Sequence, residues 1–77
     1  MYIITMEVGK TYIVKKDIFS FKTGEVWSLV DESYQFYYGE HNFTFINEEK
    51  QSKSMILHDG SNREMEIYCH LEDYFEE

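Results

Sequence analysis

Glu25-Val26-Trp27-Ser28-Leu29-Val30 sets two large apolar side chains two residues apart between turn signals, Gly24 before them and Asp31-Glu32-Ser33 after. A period of two puts Trp27 and Leu29 on one face of a β-strand, where Trp27 can fill the centre of a small barrel. Toward the N-terminus, Gly9 to Lys16 reads as a turn and a strand with Tyr12 and Val14 on one face and Thr11, Ile13 and Lys15 on the other. Asp17 to Thr23 then reads as a long loop anchored inward by Phe19 or Phe21. Toward the C-terminus, Tyr34–Tyr38 and Phe43–Ile46 are expected as short strands joined by Gly39-Glu40-His41-Asn42, with Tyr34, Phe36 and Tyr38 on one face and Tyr37 on the other. After the charged turn Asn47 to Ser52, Lys53–His58 supplies a last strand. Five short strands without crossover helices cannot build a parallel sheet, so a meander bending into a barrel is expected.

Beyond Asp59-Gly60 the period changes. Ile67, Tyr68, Leu71, Tyr74 and Phe75 recur as one stripe of a helical wheel. Ser61-Asn62-Arg63-Glu64 has capping-box spacing, and a helix over about 62–75 follows. The expected fold is therefore mainly β (α+β): a five-stranded antiparallel SH3-like barrel over about 9–58 with a C-terminal amphipathic helix. Residues 1–77 make one domain, since 77 residues support one core and bury only about 60% of the unfolded surface. Trp27, Tyr12, Val14, Leu29, Phe45, Ile56, Leu57 and Leu71 are expected in that core, and Cys69 on the solvent side.

Composition excludes several classes. The chain lacks proline and low-complexity runs, which argues against a disordered linker. The opening Met1–Met6 has no positive region and its apolar run is too short for an export signal. No stretch approaches the ~20 apolar residues of a membrane span, and a solitary Cys69 offers no internal disulfide, so the expected compartment is the cytoplasm. Net charge is −8, and residues 59–77 carry seven acids against Arg63 alone. Lys10, Lys15, Lys16 and Lys22 are scattered, a poor substitute for the basic surface that nucleic acid requires.

The order Gly9-x-x-Tyr12-x-Val14, Gly24-Glu25-x-Trp27, Tyr37 with Gly39 and Phe45, Ile56-Leu57 and Leu71-x-x-Tyr74 resembles a small bacterial family, the domain of unknown function 3601. The similarity spans about residues 9–75, and Gly-Glu-x-Trp at 24–27 is its most specific element. It implies a compact β barrel ending in a helix and brings no known activity. The chain departs from the family's proline and acidic residues at Phe36 and Tyr38.

Few residues offer chemistry. Glu66, Cys69, His70 and Asp73 would share one face of a helix and are metal-ligand types, yet one Cys with one His lacks the paired spacing of a zinc site; a solvated polar face is favoured. His58-Asp59 could form a general base, but no serine or cysteine motif accompanies it, and no glycine-rich loop cradles phosphate. The expectation is a non-enzyme without cofactors. Six aromatics between Tyr34 and Phe45 exceed what one face can bury, so Tyr37 or Tyr38 should be exposed. With Glu66, Glu72 and Asp73 facing water, these residues are the candidate partner-binding set for another, basic protein. The alternatives are an immunity protein neutralising a basic toxin and a metal- or small-molecule-binding regulator on the helix face. No membrane or nucleic-acid partner is expected, and self-association is left open.

Overall fold

A computed structural model of the chain describes residues 6–77. The reading of the opening apolar run falls on residues 1–5, outside the described residues. Strands β1 (Thr11–Val14), β2 (Val26–Gln35), β3 (Glu40–Ile46), β4 (Ser52–His58) and β5 (Phe75–Glu76) form one antiparallel sheet in the order β4-β3-β2-β1-β5. Between β4 and β5 lie the helix α1 (Asn62–Cys69) and a single 3-10 turn, Leu71–Asp73.

β2 is the spine of the sheet. Its first half pairs with β1, Tyr12 opposite Trp27, and from Ser28 onward it pairs with β3. Leu29 faces Phe45 but Asp31 faces Thr44, so Val30 is an extra residue on β2, a bulge that bends the strand. The bulge also switches parity. Before it, odd-numbered Trp27 and Leu29 point inward; beyond it, even-numbered Glu32 and Tyr34 share the inner face with Phe43 and His41. Asp31-Glu32-Ser33 therefore continues the strand, and the two short strands expected over 25–30 and 34–38 are one. The hairpin turn correspondingly moves to Phe36–Gly39, with Gln35 opposite Glu40, instead of Gly39–Asn42. Gly39 makes that turn at φ +61, a conformation disfavoured for residues with a Cβ.

The sheet is open, with β4 and β5 at its edges. A side chain ties the β4 edge to the β1–β2 loop. Lys53 of β4 donates to the Ser20 carbonyl at 2.6 Å, and its ammonium lies 4.9 Å from the Trp27 ring and 5.2 Å from Phe21. Beneath it, Phe21 meets Trp27, Phe45 and Phe75 edge-on at 5.2–5.7 Å, and Phe45 stacks on Phe75. Phe21, from the β1–β2 loop, thus holds the centre assigned to Trp27, which is buried beside it. Phe19 is exposed at φ +53.

Seven of the eight expected core residues are buried; Ile56 is the exception at 41% exposure. On β4 the inward residues are Met55 and Leu57, and period two then sends Ile56 outward. The helix is shorter than expected. Ser61 Oγ accepts from the Glu64 amide at 3.2 Å, one half of the capping box, while the Glu64 carboxylate turns to His58. The helix stops at Cys69, and His70 leaves helical geometry at φ −133, ψ 38. No basic residue occupies its last turn, and Glu72 and Asp73 would have opposed the macrodipole of a longer helix. Breaking there lets Leu71 and Phe75 both reach the core and lets Phe75 pair with Val14. Lys15 docks the segment, its amide donating to the Tyr74 carbonyl and its ammonium to the Glu72 carbonyl. Among the described residues no helix is long and apolar enough to cross a membrane.

Candidate interaction surface

The β2–β3 ribbon runs past the core, and every residue from Val30 to Tyr38 is exposed. At its tip Phe36 is 87% exposed, Tyr37 86% and Tyr38 69%, with the Tyr37 and Tyr38 rings edge-to-face at 5.2 Å. Three consecutive uncovered aromatics are a large apolar patch on so small a surface. Tyr37 and Tyr38 are the exposed aromatics expected from the sequence; Phe36, expected on a strand face, is instead in the turn. No lysine or arginine occurs between Val26 and Glu49, while Asp31, Glu32 and Glu40 lie along the ribbon.

Polar contacts fix the base of the turn. The Asp59 amide donates to the Gly39 carbonyl at 2.8 Å, and a Cβ on Gly39 would stand 3.3 Å from the Asp59 side chain. Asp59 accepts from the Tyr34 hydroxyl at 2.5 Å and from His41 Nε2 at 2.7 Å. These bonds, the tyrosine's first, hold the Asp59 carboxyl below its ordinary range, and the same contact raises the Tyr34 phenol. His41 is stacked between Tyr34 and Tyr68, with ring centroids at 4.5 and 4.3 Å, which joins β2, β3 and α1 at this end.

Beside this group His58 binds a carboxylate through each ring nitrogen, Nδ1 to Glu64 at 2.7 Å and Nε2 to Glu40 at 3.1 Å. The His58 amide also donates to Glu64 at 2.8 Å. Hydrogen bonding to Glu64 first, and to Glu40 next, raises the imidazole above its ordinary value; the same bond lowers Glu64. His58 and Asp59, read from sequence as partners, thus serve separate carboxylate and histidine partners. Adjacent residues at a strand end point apart, and only the folded hairpin and helix bring Glu40, His41 and Glu64 to them.

The remaining candidates lie elsewhere. Glu66 and Asp73 line a cleft of about 540 Å³ between the β1–β2 loop and the helix, with Lys16, Phe19, Arg63 and His70. Neither Tyr37 nor Tyr38 borders it. Glu72 does not simply face water: its Oε2 is shut from solvent without a hydrogen-bond partner among the described residues. Cys69, expected on the solvent side, is half-buried. The helix break at His70 takes Asp73 off the helical face that Glu66, Cys69 and His70 were expected to share with it. His70 Nδ1 bonds the Glu66 carbonyl at 2.9 Å.

No family model matches the chain, and no curated protein matches it significantly. A solved structure of an integron cassette protein from the mobile metagenome of Vibrio cholerae is similar to it, with a TM-score of 0.77 and 18% identity over 91% of this chain and 82% of that one. At that identity the likeness concerns the fold alone: an antiparallel β sheet with one helix.

Proposed function

We propose that the chain is a non-enzymatic protein-binding module, SH3-like in the order of its strands, which engages a basic partner through the Phe36–Gly39 turn. The observation that carries this reading is the aromatic triplet at the tip, left uncovered on a turn that Asp59 and Gly39 hold in place. Aromatic side chains anchor interfaces because they bury much area for few rotatable bonds. The ribbon is flanked by acids without a cation of its own, so lysine and arginine side chains fit both the ring faces and the carboxylates. The acids of the C-terminal segment, Glu66, Glu72 and Asp73 among them, act at longer range by steering a basic protein toward this domain. A basic toxin neutralised by this chain belongs to that partner class.

Comparative capture by immobilised wild type and by a Phe36→Ser, Tyr37→Ser, Tyr38→Ser variant tests the reading. Basic proteins that bind the wild type directly when purified, and lose at least about tenfold in affinity on the variant, are the expected result. Equal binding to both would overturn it.

A further inference from the structure

Three histidines occur in the chain, and among the described residues they differ in how many acceptors they hold. His41 uses Nε2 on Asp59, and His70 uses Nδ1 on the Glu66 carbonyl. A neutral imidazole retains one N–H, so either contact survives loss of the proton. His58 has an acceptor on each nitrogen, Glu64 on Nδ1 and Glu40 on Nε2, and only the imidazolium can donate to both. When His58 becomes neutral one contact must fail. Glu64 is the better held: its bond is shorter, and the same oxygen accepts the His58 amide. The proton that stays is therefore the one on Nδ1, and Nε2 turns a lone pair toward the Glu40 carboxylate.

Glu40 directly follows Gly39 and starts β3, so it stands at the foot of the aromatic turn. We propose that Glu40 is the carboxylate that receives a cationic side chain of the partner, and that His58 gates it: protonated, His58 occupies Glu40; neutral, it releases Glu40 to the partner. The inference rests on the turn being the contact surface and adds the residue that reads the partner's charge and the proton that regulates it. The groups around His58 fit this assignment. Glu40 faces it from β3 and Glu64 from α1, Arg63 lies near enough to act on Glu64, and the neighbouring Asp59 is occupied by Tyr34 and His41. Because Glu40 lies 3.1 Å from His58 Nε2 in the free protein, a partner's cation and the proton on His58 compete for one carboxylate. The raised titration of His58 sets the exchange above the ordinary histidine value of about 6.5, where small changes in pH or in partner concentration move it.

A hexa-arginine peptide is a suitable probe, because its guanidinium groups stay charged throughout. Its affinity, measured at about 0.15 M salt, should tighten by about threefold from pH 6 to pH 8.5, the effect of one additional exposed ion pair. Glu40→Gln should remove that gain, and His58→Leu should bind equally at both pH values, whereas His70→Gln should retain the full dependence. In the wild-type protein without peptide, the Glu40 carboxylate carbon should follow the titration of the His58 ring nitrogens by NMR, which needs no variant to fold. Binding that is flat with pH, or equally pH-dependent in His58→Leu, overturns the gate while leaving the contact surface standing. A Glu40 signal indifferent to His58 overturns it as well. Absence of binding at pH 8.5 overturns the gate together with the cationic-partner reading.

Discussion

Phe21 meets three aromatic rings edge-on and has no exposed surface, so its removal would open a cavity that no neighbour can fill without abandoning its own contacts. Phe21→Ala should cost about 3–5 kcal/mol in a urea melt, comparable with the whole stability of a domain this size. Phe19→Ala, two residues away on the exposed side of the same loop, should change stability by no more than about 0.5 kcal/mol. At this scale the pH dependence of stability is also set. The imidazole of His58 is raised in the folded state, so its contribution is complete below its unfolded value of about 6.5 and is lost as pH rises through the folded value. Asp59 and Glu64 are lowered, so theirs is present above about pH 4–4.5 and is lost on acidification. Thermal melts of wild type and His58→Leu should therefore converge as pH rises past the folded value, wild type being relatively more stable below it. Curves that stay parallel from pH 6 to pH 9 would show that His58 contributes through packing alone.

The elements show where sequence pattern reaches its limit. β1, β4 and the start of β2 were legible because each alternates over a core that covers one face, as Tyr12 and Val14 do. The second half of β2 was not, because the Val30 bulge reverses the parity and the ribbon beyond it has no covered face to write an alternation. β5 was hidden for a different reason: Phe75 keeps helical spacing with Leu71, yet it stacks on Phe45 and pairs with Val14. The crowding of aromatics in Tyr34–Phe45 did foretell exposed tyrosines. The carboxylates around His58 and His41 could not be foreseen, since Glu40, His58 and Glu64 come from three elements that only tertiary pairing aligns. The turn itself is a discrete, testable element. Gly39→Ala places a Cβ in left-handed backbone against Asp59, and should cost about 1–2 kcal/mol while disturbing the Asp59 contacts to Tyr34 and His41. A melt unchanged by that substitution, with native Tyr34 and His41 NMR shifts, would show that the turn is not fixed in this way.

Across the whole molecule, the exposed aromatic surface coincides with a stretch that carries acids but no lysine or arginine. The C-terminal acids, by contrast, lie beside lysines of the β1 region: Glu77 pairs with Lys10 at 3.3 Å, Lys15 reaches the Glu72 carbonyl and Lys16 lies over the Tyr74 ring. A basic ligand is attracted by the net charge of −8, and the tip offers it the exposed rings of Phe36, Tyr37 and Tyr38. Association should therefore slow as salt is raised, while the off-rate depends chiefly on the tip. Replacing Glu76 and Glu77 by Lys should lower the on-rate for hexa-arginine, and Tyr37→Ala should mainly raise the off-rate. The most direct test of the proposed contact surface is an amide NMR titration of the chain with hexa-arginine at about 0.15 M salt. The largest shifts are expected at residues 34–41, reduced in Tyr37→Ala and Tyr38→Ala variants; shifts confined to residues 72–77, or unchanged by either substitution, would contradict a contact surface at the tip.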